Sequence, residues 1–351
     1  MTTHMAMFPR SPWWRENPYL GLLEQGLAAQ GIGYATDPND GLSWRWLWTQ
    51  CGQTQVLHFH WLEYHYDRAT KTKSAVALAR FLLKITVARM MGYRIVWTVH
   101  NIGAHEPKHP MLDERCWRMM TRLAHAIIVH CNDAGQQVRR RWGGAKKITV
   151  IPHPAYTSLY KDVPERCAAR QKLGLLPDQK VLLYFGAIRP YKGVEEAIAA
   201  FRQIDDPNAR FVIAGRPLNE QIKIQLAQLI DGDARIRTVF EYIAPSEVPT
   251  YFSACDAVVL PFKHVQTSGS AILAMSLGRP VVTSAQGCLP ELVSVETGVL
   301  YDPNDSEGLH TALQHILQRD TNTMGQLALQ RVAAYTPTVI GQQHARVYAG
   351  E

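Results

Sequence analysis

Short runs of apolar and β-branched residues alternate along this chain with longer stretches in which apolar positions follow helical spacing. The strand-like runs of the first half read QVLHFHW, YRIVWTVH, HAIIVH and KITVIPH, and those of the second half read VLLYFGA, RFVIAG, IRTVFEYI, AVVLPF and PVVTSA. Strands separated by helices are typical of parallel βαβ units. The pattern therefore predicts an α/β protein with two Rossmann-like, doubly wound parallel-sheet domains that face a cleft.

The division between the two domains is predicted near residue 155. A polar, proline-bearing segment over residues 154–179 lacks strand periodicity and separates the two series of strands. A chain of 351 residues is also longer than one hydrophobic core usually serves. We expect an N-terminal domain over residues 1–155 and a C-terminal domain over residues 156–334. The helical pattern over residues 335–351 suits a last helix that crosses back to complete the N-terminal domain.

The composition is that of an ordinary globular protein, with 46% apolar and 19% charged residues. The longest apolar stretch, residues 75–91, contains Arg80, Lys84 and Arg89, so no membrane-spanning helix is predicted. No signal peptide is recognisable, and the six cysteines are scattered without metal-ligand spacing. These features together favour the cytoplasm.

The net charge of +7 favours an anionic partner. Two basic segments, residues 71–84 and 139–147, could contact the anionic inner face of a membrane. The amphipathic pattern is imperfect, because Arg89 falls opposite the other cations of its helix, so a solvated surface is the alternative. No nucleic-acid-binding motif accompanies the charge, and we expect no nucleic-acid partner.

Two loops of the second half have the composition of phosphate-binding loops. The strand VLLYFGA ends in Gly186, and Arg189 and Lys192 follow just before a helix. A glycine that lets the backbone approach a ligand, together with two cations beside a helix N-terminus, suits a diphosphate. A solvated basic loop is the alternative interpretation.

The second loop follows the strand AVVLPF and leads into an apolar helix. Serine and glycine at a helix start present N–H groups and hydroxyls to an anion, and the helix dipole adds to the attraction. Simple capping is the alternative. The residues concerned are Thr267, Ser268, Gly269 and Ser270.

The second half resembles the C-terminal domain of family 4 glycosyltransferases, which have the GT-B fold. The resemblance rests on FGAIRPYKGVEEAI, RFVIAG, VFEYIAPSEVPTYFSACDAVVLPF, SGSAILAMSLGRPVV and the tail with PELV and TGVLYDPND, in that order. It implies that Arg189 and Lys192 hold the donor diphosphate and that the amides of residues 268–270 hold its phosphates. The nucleobase would lie near Glu241, Tyr242 and Ile243. In the first half WTVHN resembles the family's strand-end histidine, so His100 would face the donor sugar with Asn101 beside it.

The chain departs from that family at a pair of glutamates eight residues apart. Val265 and Leu273 occupy the aligned positions, so both carboxylates are missing. Gln266 and Thr267 are the candidate substitutes for the lost donor contacts. The departure leaves a retaining or an inverting outcome open.

The loops of the first half have a composition that suits a sugar acceptor. Trp61 would stack on a sugar ring, and Arg10 and Arg15 would contact an acceptor phosphate, a plain surface role being the alternative. An inverting reaction needs a base for the acceptor hydroxyl. The candidates, which the sequence does not rank, are His100, Glu63, Asp67 and Glu106.

These features predict a hexosyltransferase that uses a nucleotide-diphosphate sugar. The WTVHN and HFHW segments resemble those of bacterial mannosyltransferases, and this resemblance favours GDP-mannose over a UDP-sugar. The acceptor would be a sugar or lipid-linked oligosaccharide in exopolysaccharide, lipopolysaccharide or glycolipid assembly. No histidine pair has metal-ligand spacing on a helix, so we expect no metal and no permanently bound cofactor. The alternatives are a non-catalytic GT-B subunit that binds nucleotide or a partner transferase, and a sugar-nucleotide epimerase.

Overall fold

A computed structural model describes residues 3–9, 18–35, 42–103, 108–143 and 148–351. The chain divides into two compact units, Met1–Pro154 with Tyr335–Glu351 and Ala155–Ala334. Each unit is a parallel β-sheet with helices packed on it. The fold class is therefore confirmed as α/β with two Rossmann-like sheets.

The first unit has a sheet of six described strands in the order β2-β1-β3-β4-β5-β6. The strands are β1 (His4–Phe8), β2 (Gly33–Tyr34), β3 (Val56–Phe59), β4 (Arg94–Val99), β5 (Ala126–Val129) and β6 (Ile148–Val150). The helices are α1 (Pro18–Ala28), α2 (Trp44–Gln50), α3 (Glu63–Tyr66), α4 (Lys71–Met90), α5 (Pro110–Leu123), α6 (Asn132–Trp142) and the last helix of the chain, α15 (Pro337–Ala349).

The second unit also has a sheet of six described strands, in the order β12-β11-β10-β7-β8-β9. The strands are β7 (Lys180–Phe185), β8 (Ala209–Ala214), β9 (Ile236–Val239), β10 (Ala257–Leu260), β11 (Val281–Ser284) and β12 (Gly298–Tyr301). The helices are α7 (Arg166–Lys172), α8 (Val194–Arg202), α9 (Glu220–Ile230), α10 (Val248–Ala254), α11 (Gly269–Ser276), α12 (Leu289–Leu292), α13 (Gly308–Ile316) and α14 (Thr321–Ala333).

Both strand orders create a point in the sheet at which the direction of winding reverses. In each sheet the chain first builds outward to one side, through β1 and β2 or through β7, β8 and β9, and then continues on the other side of the first strand. The direction of winding reverses between β1 and β3 and between β7 and β10. Loops diverge at such a switch point and leave a crevice at the carboxyl ends of the strands. The loops after these four strands are therefore where a ligand site is expected.

Helix α15 packs on α1 within the first unit. A β-carbon on Gly26 would lie 1.9 Å from the carbonyl oxygen of Pro337, and one on Gly341 would lie 2.2 Å from the backbone of Gly26. Ile340, Val347 and Tyr348 of α15 join the apolar core of this unit. The last helix is thus part of the core that supports β1 and β3.

Several element boundaries differ from those expected from periodicity. Helix α4 begins at Lys71 rather than near residue 75, because the Thr70 hydroxyl accepts a hydrogen bond from the Lys73 amide at 3.3 Å and caps a polar first turn. The segment over residues 154–179 contains helix α7, whose polar sequence carries little periodic signal.

Candidate active site

The loop after β7 is shaped by two glycines. Gly186 has φ of +125°, which L side chains rarely adopt, and Gly215, after the neighbouring strand β8, has φ of +154°. A β-carbon on Gly215 would lie 1.9 Å from the carbonyl oxygen of Gly186. A β-carbon on Gly186 would lie 3.5 Å from Nζ of Lys192 and 3.8 Å from Oγ of Ser270. The bare backbone of Gly186 thus lies close to the ammonium of Lys192 and to the hydroxyl of Ser270, which belongs to helix α11.

The two predicted cations lie around a short 3₁₀ turn over Pro190–Lys192. Gly193 ends that turn with φ of +68°, and a β-carbon there would lie 1.9 Å from the carbonyl oxygen of Pro261, so the turn packs tightly on the loop after β10. Lys192 is half-buried. Burial, with a smaller effect of the Arg189 charge, lowers its pKa to about 8. An uncompensated cation of this kind favours an anionic ligand.

The loop after β10 leads into the N-terminus of α11. Ser268 caps the helix, its Oγ accepting a hydrogen bond from the Ala271 amide at 3.1 Å. Gly269 and Ser270 are the first two helical residues, and the first amides of a helix have no intrahelical partner. The dipole of α11 therefore points its positive end to the same place as Lys192.

Gln266 and Thr267 precede this helix and face a different neighbour. The carbonyl oxygen of Gln266 accepts a hydrogen bond from the Cys288 amide at 2.8 Å, and Oγ1 of Thr267 lies 3.6 Å from Sγ of Cys288. The glutamate-pair positions, Val265 and Leu273, are both half-buried. The structure thus packs the two substitute residues against the loop after β11.

The predicted nucleobase residues follow β9. Glu241 and Tyr242 are exposed, Tyr242 to 59%, whereas Ile243 is buried. This part of the loop offers a ring and an apolar side chain, which could stack on and cover a base.

In the first unit, a histidine directly follows each of the strands β3, β4 and β5, and His153 follows β6 after two intervening residues. Parallel strands bring these residues to one edge of the sheet. Nδ1 of His60 lies 3.1 Å from Nε2 of His100, and Nδ1 of His100 lies 3.2 Å from Nε2 of His130. Nδ1 of His130 lies 2.9 Å from the carbonyl oxygen of Ile151, and Nδ1 of His153 lies 2.8 Å from that of Pro154. We call these four side chains the histidine row.

The Tyr19 ring of α1 packs against the whole histidine row, with ring centroids 4.9 to 5.7 Å apart. Burial lowers the pKa of every member, to about 4 for His130 and about 3 for His153, and neighbouring imidazoles lower the pKa of His60 and His100 further. The histidine row is therefore neutral at ordinary pH.

Two predicted residues lie beside this row. Trp61 stacks on His100 at 4.5 Å with an interplanar angle of 14°, and is half-buried. Asn101 is also half-buried and follows His100 directly. His58, one strand position before Phe59, is fully buried, with Nδ1 2.7 Å from the Tyr348 hydroxyl and Nε2 2.7 Å from Oγ1 of Thr98. It belongs to the core.

Three carboxyl groups cluster around the short helix α3. Burial raises the pKa of Glu63 to about 7, and Asp113 and Asp67 contribute to the rise. Burial also raises the pKa of Asp113, whose Oδ1 accepts a hydrogen bond from the Tyr66 hydroxyl at 2.7 Å. Asp67 instead forms an ion pair of 2.8 Å with Lys108. Glu63 is thus a carboxyl group whose pKa lies close to neutral pH.

A groove of about 740 Å³ follows helix α4 in the same unit. It combines four cations with apolar and aromatic side chains. The cations are Arg68, Lys73, Arg80 and Lys84, and the apolar and aromatic side chains include Leu42, Tyr64, Val76 and Phe81. None of the helices in the described ranges is long and apolar enough to cross a membrane.

Three of the predicted site residues, Arg10, Arg15 and Glu106, lie outside the described residues. Within the described part of the chain, no three His, Cys, Asp or Glu side chains are arranged to hold a metal ion. The sequence did not single out His60, His130 or Asp113, which the structure places beside the predicted residues His100 and Glu63. The histidines did carry a signal, since HFH, TVH, IVH and IPH each close an apolar strand.

The two sheets and their loops at the carboxyl edge define the GT-B class of glycosyltransferases. Residues 165–329 match the family model "Glycosyl transferases group 1", and residues 72–159 match the model "Glycosyltransferase Family 4". Both halves of the chain thus match glycosyltransferase models, and the recognition of a GT-B glycosyltransferase from sequence is confirmed.

Two curated relatives share part of their length with this chain. The GDP-mannose:glycolipid 4-beta-D-mannosyltransferase of Xanthomonas campestris pv. campestris is 32% identical over 228 residues, which are 65% of this chain and 60% of that protein. A D-inositol 3-phosphate glycosyltransferase of Mycobacterium tuberculosis is 27% identical over 221 residues, 61% of this chain and 45% of that protein. This chain thus matches less than two thirds of the length of either relative.

Solved structures show the same fold over nearly the whole chain. Sucrose-phosphate synthase from Thermosynechococcus elongatus has a TM-score of 0.75 and 22% identity, covering 99% of this chain and 98% of that one. HepE of Anabaena in complex with UDP has a TM-score of 0.77 and 19% identity, with 100% of both chains covered. At such identities the likeness concerns the fold alone.

Proposed function

We propose that this protein transfers a hexose from a nucleotide-diphosphate sugar to a sugar or lipid-linked oligosaccharide acceptor in polysaccharide or glycolipid assembly. The observation that carries the proposal is the convergence of Gly186, Lys192 and Ser270 at the switch point of the second sheet. A bare backbone, a half-buried cation and a helix N-terminus together suit the diphosphate of such a donor. Arg189, beside Lys192, adds a second cation.

GDP-mannose is the donor we favour, and a UDP-sugar is the next candidate. The similarity to the GDP-mannose:glycolipid mannosyltransferase of Xanthomonas supports GDP-mannose, while HepE was solved with UDP. In our proposal Glu241, Tyr242 and Ile243 bind the base, and Gln266, Thr267, Ser268 and Gly269 complete the contacts to the ribose and phosphates. Cations and helix dipoles stabilise the leaving diphosphate without a metal ion.

Glu63 is the base that we propose for the acceptor hydroxyl. A carboxyl with a pKa near 7 is matched to proton transfer at neutral pH. Asp67 is a weaker candidate because its charge is paired with Lys108. Trp61 and Asn101 would contact the acceptor sugar at the same sheet edge.

The groove along α4 supports a peripheral contact with an anionic lipid surface or a lipid-linked acceptor. Its four cations suit phosphate groups, and its apolar side chains suit hydrocarbon. Sedimentation with vesicles tests this contact: binding to anionic vesicles and not to neutral ones supports it, and equal binding to both contradicts it. Replacement of Lys180, a cation at the far end of the second unit's sheet, is the control for replacement of the groove cations.

A donor panel tests the central proposal. The purified protein is titrated with GDP-mannose, UDP-glucose, GDP and UDP, and binding is measured by calorimetry together with release of the free sugar. We expect one nucleotide sugar to bind, and Arg189→Ala and Lys192→Ala to weaken it. Lys180→Ala is the matched control, since Lys180 lies at the opposite end of β7 and pairs with Asp206 at 3.0 Å. The proposal fails if no nucleotide sugar binds, or if the double variant binds as tightly as the wild type.

The non-catalytic alternative has one observation in its favour, the loss of the glutamate pair at Val265 and Leu273. The same panel separates the two functions. A chain that binds nucleotide but neither transfers nor hydrolyses any donor sugar, with acceptor present, is the non-catalytic subunit.

A further inference from the structure

The histidine row contains a chain of three imidazoles with a defined direction. A carbonyl oxygen only accepts hydrogen bonds, so Nδ1 of His130 carries the proton that it donates to Ile151 at 2.9 Å. In a neutral ring the other nitrogen is then an acceptor. Nε2 of His130 therefore accepts from Nδ1 of His100 at 3.2 Å.

The hydrogen bond between His100 and His60 has the same direction. Because Nδ1 of His100 donates, its Nε2 accepts from Nδ1 of His60 at 3.1 Å. Both nitrogens of His100 are thus occupied by protein. The chain ends at Nε2 of His60, a bare acceptor that is buried and has no partner among the described residues.

A buried acceptor without a partner costs free energy of about 1–3 kcal/mol, which a ligand hydroxyl that donates to it would recover. The ring of His60 lies against two half-buried rings at the sheet edge, Trp61 at 5.8 Å and His100 at 5.3 Å. Trp61 immediately follows His60 in the chain. Because Trp61 is one of the residues that we propose to contact the acceptor sugar, His60 lies beside that part of the proposed site.

We propose that His60, rather than His100, is the histidine that contacts the carbohydrate, with Nε2 accepting a hydrogen bond from a sugar hydroxyl. His100 and His130 are positioning residues that fix the orientation and tautomer of His60. The hydroxyl belongs to the donor sugar or to the acceptor sugar, which share this chemistry. The inference rests on the proposed function, because it names the group that binds the substrate at this edge.

The direction of the chain is itself measurable. In ¹⁵N-histidine-labelled full-length protein, long-range ¹H–¹⁵N spectra distinguish the two neutral tautomers, with each signal assigned by loss on substitution. We expect His60, His100 and His130 all in the Nδ1–H form, which is the less common form of free imidazole in water. A protonated Nε2 on any of the three overturns the proposal. This measurement needs no glycosyl transfer, so its result is independent of the proposed function.

Addition of ligand tests the contact. GDP-mannose and methyl mannoside are added separately, so that a response to the first alone points to the donor sugar and a response to the second points to the acceptor side. We expect the Nε2 signal of His60 to shift with at least one of them. Binding of GDP-mannose without any shift at His60 overturns the contact while leaving the proposed function standing.

Variants separate positioning from structure. His130→Asn keeps a donor for Ile151 but removes the nitrogen that accepts from His100, and we expect a mixed tautomer at His60 and a several-fold rise in KM with a smaller change in kcat. His344→Asn is the matched control, since His344 is equally buried and its Nδ1 bonds the Ile340 carbonyl at 2.8 Å. We expect His60→Gln, with an amide at the Nε2 position, to bind sugar better than His60→Asn. Equal effects of His130→Asn and His344→Asn would contradict the positioning role. If a variant does not fold, the tautomers measured in the wild-type protein still test the direction of the hydrogen-bond chain.

Discussion

The ammonium of Lys192 lies 3.5 Å from the point that a β-carbon of Gly186 would occupy. The glycine that directly follows β7 is therefore followed, six residues on, by a cation whose ammonium lies beside the glycine backbone. The left-handed conformation at Gly186 keeps this space open. The backbone conformation of Gly186 and the charge of Lys192 therefore lie at one place, and separate substitutions can test each of them.

We expect Gly186→Ala to weaken nucleotide-sugar binding and to lower the free energy of unfolding by roughly 1–3 kcal/mol, because alanine is strained at this φ. The added methyl group would lie against the ammonium of Lys192 and the hydroxyl of Ser270. Denaturant unfolding and calorimetric titration measure the two effects.

The control for this variant is Gly232→Ala in the same unit. Gly232 also has a positive φ, +71°, but a β-carbon there would have no neighbour within 4 Å. It should cost stability and leave the dissociation constant unchanged. If both variants bind equally well, the space beside Gly186 is not used by the ligand.

The charge of Lys192 should make donor binding depend on pH. Its pKa, about 8 in the free protein, means that the ammonium is present below pH 8 and is lost as the pH rises through that value. Affinity for the diphosphate should fall from pH 7 to pH 9, since a charge-assisted hydrogen bond is worth roughly tenfold to a hundredfold in binding. Lys192→Arg, which stays charged, should flatten this dependence. A wild-type affinity that is constant from pH 7 to pH 9 would contradict the assignment.

Glu63→Gln should change both activity and stability. Loss of a general base lowers kcat by roughly a hundredfold to ten-thousandfold, and the acid limb of the wild-type profile near pH 7 should disappear. The raised pKa of Glu63 stabilises the fold at low pH, and that contribution is lost as the pH rises from the unfolded value through about 7. The difference in Tm between variant and wild type should therefore shift in favour of the variant between pH 5 and pH 8.

Glu114→Gln is the control for this substitution. Glu114 is a carboxylate of the same unit, in ion pairs with Arg118 and Arg141, and its pKa is lowered rather than raised. It should leave the acid limb in place. A Glu63→Gln variant with wild-type kcat would remove Glu63 from the mechanism.

The strands and the two winding sheets were predictable from sequence because apolar runs and helical spacing are local signals. The convergence of Gly186, Lys192 and Ser270 follows in outline from parallel topology, which brings the ends of β7 and β10 to one edge. The roles that we propose for these side chains stay predictions. Helix starts such as Thr70 were missed because a polar first turn lacks periodicity.

Other features of the site were beyond sequence reasoning. The tautomer of His100 is set by contacts to residues 40 and 30 positions away, His60 and His130, and no local pattern encodes them. The raised pKa of Glu63 likewise depends on burial and, to a smaller extent, on Asp113, which comes from a distant helix. Long-range packing decides both.

The support of the histidine row by α1 leads to a last prediction. Tyr19 at the start of α1 packs on the histidine row, and α15 holds α1 through the close approach of Gly26 to Pro337 and Gly341. Gly26→Ala would place a methyl group within 1.9 Å of a backbone carbonyl, so the helices must separate. We expect a loss of stability of roughly 1–3 kcal/mol from overpacking, measured by denaturant unfolding. Gly21→Ala on the same helix meets no atom within 4 Å and should instead stabilise by about 0.5–1 kcal/mol, because alanine favours the helix. Equal stabilities of the two variants would show that α15 does not hold α1, and Tyr19 would then have to be positioned against the histidines by other contacts.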